Sequence, residues 1–282
     1  MRAALLAFTL LASVVQLSAQ QASTVRSTVS RILEGMNSPD STERSKAFDE
    51  ADELLASGKS TPGDIERLRL GIIQLLIAEN ARINVPDDQM LKQAASGASS
   101  GSGTDEGEGD ESEYYPSLIA TVAGFDDERA IPALVGAMPY ASLATGGLLR
   151  FGDKALGPVL DQLKSRNALL RTSAMEMTIT LLEGRNDSAS RTRIREMLRS
   201  ALTDPVAVVR GHAVNEIGCL DDRQDFVPIL EKIAKTDPEN YPGTEDDGVD
   251  GDKFYPVRVD ARRVLREIQN NQTCSWRRTA TR

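Results

Sequence analysis

His212 is the only histidine in the chain. Arg210 precedes it by two residues and Glu216 follows it by four, and residues four apart share a helix face. An imidazole beside a carboxylate is suited to moving a proton near neutral pH, and a Ser-His-Asp triad would have to use this one ring. The plainer reading is a surface or partly buried histidine of a packed helix. Cys219 and Cys274 are the only cysteines, so a zinc site built from His and Cys lacks ligands. In an oxidising compartment the two suit a disulfide, closing a loop of about 55 residues and stabilising by about 4 kcal/mol on the chain-entropy account. The alternative is a small buried Cys219 and a free Cys274.

Asp246, Asp247, Asp250 and Asp252 alternate with Gly248 and Gly251. They offer carboxylate oxygens to calcium, a hard ion that takes roughly six to eight such ligands. The spacing departs from an EF-hand, which needs alternating ligands, a central Gly and a closing Glu, and the plainer reading is a solvated acidic loop. No other cofactor is expected.

The elements that must position these residues are predominantly helical. The chain has 282 residues, 40% of them hydrophobic and only 4% aromatic, a balance that disfavours β-sandwiches and base-stacking platforms. It has 33 basic and 42 acidic residues, the wrong sign for affinity drawn from phosphate neutralisation. Nucleic acid is therefore not expected as a partner. At the N-terminus Arg2 precedes an apolar stretch from Ala3 to Val15 and a small residue at Ala19, the layout of a signal peptide over 1–19. Such a stretch is too short for a hydrocarbon core of about 30 Å. The expected mature protein is periplasmic or secreted, with no transmembrane segment.

From Tyr115 onward the sequence repeats, which decides the fold before any local assignment. Leu170-Arg171, Val209-Arg210 and Val257-Arg258 are each followed, three residues after the Arg, by Ala174, Ala213 or Ala261. Ile217 and Leu265 fall seven residues after their Arg and complete an apolar helical face; the matching position after Arg171 is Thr178. Pro132, Pro158 and Pro228 open the apolar stretches of partner helices. Thr203-Asp204-Pro205 and Thr236-Asp237-Pro238 each offer a capping Asp before a Pro at a helix start. The spacing predicts helix pairs at 116–124 with 128–138, 140–151 with 154–165, 168–183 with 189–201 and 205–219 with 223–235. A last helix is predicted at 256–270.

Asp-Pro, Val-Arg-x-x-Ala, a Gly near the helix end, an Asp-Asp turn and an Ile/Val-Pro-x-Leu second helix together resemble HEAT repeats. The pattern is similar to the short subtype also found in bilin lyases, and it is strongest over 203–235. The resemblance implies an all-α solenoid of stacked antiparallel helix pairs, in which Asp204 and Arg210 belong to ladders between successive units. Small Ala174, Ala213 and Ala261 would let neighbouring helices approach closely. None of these positions is catalytic.

The N-terminal region, 20–95, reads as three helices: Ser23 to Met36, Ser41 to Ser57, and Thr61 to Ile83. The third is apolar nearly all round and so is expected to be buried. A Gly/Ser/acidic linker, 96–113, precedes the repeat domain, 114–270, which carries an acidic insertion at 239–253 and is followed by a tail at 271–282. Six acidic residues in 105–113 and five in 245–252 account for the negative balance. Both insertions end in an aromatic pair and a proline, Tyr114-Tyr115-Pro116 and Phe254-Tyr255-Pro256, each expected just before a helix.

The function expected is a non-enzymatic scaffold that binds another protein or an envelope polymer along a concave helical face. Arg171, Arg210, Glu216, Arg262 and Arg266 are expected as surface positions able to carry binding. One alternative is a chromophore lyase-like or other enzyme, with His212 as its acid or base. That sits poorly with export, because bilin lyases act inside the cell. Another is a calcium-dependent or charge-driven envelope or adhesion module that uses the acidic loops.

Overall fold

The computed structural model describes residues 28–58, 60–87, 111–183, 185, 187–242, 253–272 and 274. The signal segment therefore lies outside the described residues, as do Asp246, Asp247, Asp250 and Asp252. The architecture is all-α, built from stacked antiparallel helix pairs, and the one strand pairing among the described residues spans two residues on each side. The chain forms two compact units, 1–84 with 93–151, and 85–92 with 152–282. The division falls inside the stretch that the repeat pattern groups together.

In the first unit, α1 covers 28–36, α2 runs Ser41–Ala56 and α3 runs Pro62–Ile83. Asp40 and Thr61 cap α2 and α3 by accepting the amides of Glu43 and Asp64, satisfying donors that a helix start leaves open. Helices α4 (Glu111–Gly124), α5 (Ile131–Ala137) and α6 (Ser142–Phe151) follow. α3 packs against α4 and α5, and α6 packs against the same two. Leu68, Ile72 and Leu76 of α3 are buried, as are Leu118, Leu134 and Leu148. A Cβ on Gly147 would meet Leu134 Cδ1 at 3.0 Å and Ala123 Cβ at 3.1 Å, so glycine sets how closely α6 approaches.

α4 starts earlier than the sequence predicts. It begins at Glu111, so the last three residues of the expected linker are helical and Pro116 lies inside the helix. The physical reason is tertiary. The Tyr114 hydroxyl donates to the carbonyl of Met36 at 2.8 Å and the Tyr115 hydroxyl donates to Asn80 Oδ1 at 2.6 Å. These bonds offset the single backbone hydrogen bond that proline forgoes. The echo between the two insertions ends here, because Tyr255 and Pro256 do stand at a helix start.

In the second unit, α7 runs Asp153–Asp161, α8 Ala168–Glu183, α9 Ser188–Ala201, α10 Ala207–Gly218 and α11 Val227–Thr236. A two-residue hairpin, β1 (Tyr241–Pro242) on β2 (Lys253–Phe254), leads into α12, Pro256–Gln269. α10 packs on α8, and α12 packs on both α10 and α11. One core joins them: Met175 and Ile179, Val214 and Ile217, Phe226 and Leu230, Val257 and Val264. Ala174, Ala213 and Ala261 are all fully buried.

The face by which α10 meets α12 is made of small or apolar residues. A Cβ on Gly211 would sit near Asp260 and Val257, and one on Gly218 near Val264. Ala207 and Val214 share that face, and all four positions are buried. The same register on α12 carries Tyr255, Val259, Arg262 and Arg266, of which the last two are exposed.

Candidate functional site

The repeat arginines are structural. Arg171 grips Asp204 with Nε to Oδ2 at 2.8 Å and Nη2 to Oδ1 at 2.9 Å. One repeat on, Arg210 grips Asp237 in the same way at 2.7 and 2.9 Å. The third nitrogen turns back to the loop before its own helix. Arg171 Nη1 donates to the Ser165 carbonyl at 2.7 Å and to Asp87 Oδ2 at 2.9 Å, and Arg210 Nη1 donates to the Asp204 carbonyl at 3.0 Å. Such two-pronged charge-assisted bonds fix geometry as well as supply energy. Burial pulls the Arg171 guanidinium down, and its bonds to Asp204 and Asp87 outweigh that and hold it above its ordinary value. The bond to Asp237 raises the Arg210 guanidinium against its own burial.

Two expectations are corrected by this ladder. Arg171, Arg210 and Glu216 are buried rather than surface residues, because each guanidinium fork is fully used inside the stack and Glu216 faces the core. Only Arg262 and Arg266 of the five are exposed. Nor does Asp204 or Asp237 cap a helix. Asp204 accepts the amide of Val206 and Asp237 that of Glu239, two residues on, forming Asx turns. α10 begins at Ala207 instead of 205. In each carboxylate both oxygens accept the preceding repeat's arginine, and Oδ1 accepts the turn amide as well.

Beside the ladder, the outward side of α10 and α12 encloses a cleft of about 320 Å³ lined by Val208, His212, Asn215, Tyr241, Val257 and Asp260, among others. The hairpin brings Tyr241 to this cleft, pairing it with Phe254. Tyr241 and Val208 are 49% and 50% exposed, so the rim is apolar and open. Burial raises the Asp260 carboxyl above its ordinary value, and Arg263, at 3.4 Å, pulls it back only in part. Arg263 is shared: it donates to Glu267 Oε1 at 2.8 Å and also to Asn215 Oδ1.

His212 lines this cleft, with Nε2 3.5 Å from Glu216 Oε1. Glu216 takes the register of Met177 and Val264, a core position in the neighbouring repeats. Cys219 closes α10 and is bridged to Cys274, with Cα atoms 4.8 Å apart. The calcium proposal falls outside the described residues, and among the described residues no group of three His, Cys, Asp or Glu is placed to hold a metal ion. Sequence reasoning missed Asp260, Tyr241 and Val208. A signal for Asp260 lay in the repeat register: His212 and Asp260 each stand two residues after their repeat arginine, so stacking the repeats sets them side by side.

The fold and its ladder define an all-α protein of stacked helical repeats. The chain matches no protein family and no curated protein. Among solved structures it is similar to an engineered protein, 15% identical with a TM-score of 0.32, over 87% of this chain and 98% of the other. It is also similar to a designed armadillo repeat protein in complex with the peptide (KR)4, 14% identical with a TM-score of 0.32, over 84% of this chain and 97% of the other. Among the described residues no helix is long and apolar enough to cross a membrane.

Proposed function

We propose that this chain is a non-enzymatic protein-binding scaffold that acts outside the cytoplasm. One observation carries the binding reading: at matching positions of successive repeats, one residue before the buried Leu170-Arg171 and Val209-Arg210, stand the exposed Leu169 and Val208. Val208 shares its cleft with Tyr241, and Leu169 takes the same register one repeat earlier. Exposed apolar patches mark interaction sites. Export is supported by the apolar run behind Arg2 and by the Cys219–Cys274 bridge, which persists in oxidising compartments.

The test is affinity capture from envelope and secreted fractions by the mature chain, against a Leu169→Ser, Val208→Ser, Tyr241→Ser variant of matched thermal midpoint. The expected result is a saturable partner held by the wild type and released by the variant. Equal capture by both chains, or none by either, would refute the reading. Sequencing the N-terminus of the protein recovered from those fractions tests export, and a retained Arg2 would count against it.

A further inference from the structure

We infer that the cleft between α10 and α12 receives a cationic side chain, arginine or lysine, of a partner polypeptide; the inference rests on the scaffold reading and specifies its site. The cleft joins two kinds of surface that such a side chain needs. Val208 and Val257 offer apolar contact to a methylene stem, as long cationic side chains lie along apolar surface with the charge left free. The half-exposed Tyr241 ring stands on the same rim and suits a cation over its face. Asp260 supplies the carboxylate.

Charge favours a cation over an anion. Glu239 lies against Tyr241, whose hydroxyl is raised first by burial and then by that carboxylate. Asp260 lines the other side, and Arg263 divides its guanidinium between it and Glu267 farther along α12. Arg263 bonds Glu267 and Asn215 at close range and reaches Asp260 only at 3.4 Å. Asp260 thus sits in a site that disfavours its charge and leaves it weakly compensated. A second cation arriving from outside would supply what Arg263 does not, and a charge-assisted bond made in a partly dry cleft is stronger than one made in water. The same imbalance makes Asp260 costly to the isolated fold, the mark of a residue kept for binding.

The probe is a fluorescein-labelled tri-arginine peptide against its tri-citrulline counterpart, which keeps the shape and loses the charge, titrated into the full oxidised chain. Tri-arginine is expected to bind more tightly by at least roughly tenfold. Asp260→Asn is expected to erase that preference while the thermal midpoint stays or rises. A variant with Glu245, Asp246, Asp247, Asp250 and Asp252 changed to their amides is expected to keep it, which separates the cleft from diffuse attraction by the insertion. Equal binding of the two peptides, binding unchanged by D260N, or binding lost with the insertion charges would each overturn the inference. D260N that binds tri-arginine normally overturns the cleft and leaves the scaffold reading standing. A wild type that holds tri-arginine through Asp260 but captures no envelope partner counts against the scaffold reading alone.

Discussion

The two units solve one problem, tying a helix to its neighbour through a dry interior, with opposite chemistry. In the first unit the tie is neutral: Asn80 Nδ2 donates to the Ala133 carbonyl at 2.6 Å, its Oδ1 accepts the Tyr115 hydroxyl at 2.6 Å, and Asn84 Nδ2 donates to the Gly136 carbonyl at 2.7 Å. In the second it is ionic, Arg171 on Asp204 and Arg210 on Asp237. A neutral amide makes few demands on solvation and can be placed wherever two backbones happen to leave a carbonyl open. A buried guanidinium needs a carboxylate at a fixed place, or the desolvation is uncompensated. The ionic tie therefore recurs at repeat spacing, whereas the neutral ones, Asn80 on Ala133 and Asn84 on Gly136 in the first unit and Asn167 on Val85 in the second, follow no such spacing.

The largest expected break in this comparison is Asp237→Ala, which strands the buried Arg210. Losing one partner of a buried pair costs about 3–5 kcal/mol, to be measured by urea unfolding, with the second unit melting first. Arg210→Met together with Asp237→Leu should recover most of the loss. A loss of under about 1 kcal/mol for the single change would show that the pair is solvated. Next is Asn80→Ala in the first unit. It leaves the Ala133 carbonyl and the Tyr115 hydroxyl without their bonds and should cost about 2–3 kcal/mol, with no dependence on salt.

Smaller and opposite in sign is Thr178→Val. Thr178 is fully buried, its hydroxyl has no hydrogen-bond partner, and its register holds Ile217 in the next repeat. Removing that hydroxyl should stabilise by about 1 kcal/mol, read as a raised thermal midpoint. The subtlest prediction appears only in alkali. Burial, with a lesser push from Glu79, raises the Tyr114 hydroxyl to about 12. The folded state therefore holds this proton more tightly than the unfolded one. The stability it contributes is complete below the ordinary tyrosine value of about 10 and is lost as pH rises toward 12. Tyr114→Phe should flatten that part of the stability profile, and an unchanged profile would remove Tyr114 as the cause.

The same contrast explains what was legible in the sequence. The helices that carry Leu/Val-Arg-x-x-Ala, α8, α10 and α12, could be bounded to within a residue or two because each copy corroborates the others, whereas the end of α7 and the start of α11 each fall four residues inside the predicted bounds, where 3-10 turns replace the α-helix. The resemblance implied a ladder through Asp204 and Arg210, but not that Arg171 and Asp237 complete it, nor that the arginines are buried, because a lone arginine on a helix is ordinarily exposed. Asp204 looked like a cap because an Asx turn and a cap both use an aspartate that accepts an amide two or three residues on. The early start of α4 was hidden because Tyr114 and Tyr115 find their partners 78 and 35 residues away. Of the cleft, His212 was legible as a titratable residue. Tyr241 and Asp260 meet there only because the hairpin closes the insertion between them.

The residues of α12 that share the register of α10's packing face differ from them in kind. Stacked repeats are open-ended by construction, and an end that presents small, apolar residues invites another copy to add on, giving a head-to-tail filament that never closes. With Tyr255, Val259, Arg262 and Arg266 where α10 has Ala207, Gly211, Val214 and Gly218, an incoming helix would meet bulk where it needs a groove and guanidinium groups where it needs a dry surface. A copy added to α12 through the kind of contact that joins α10 to α12 would be disfavoured at that face.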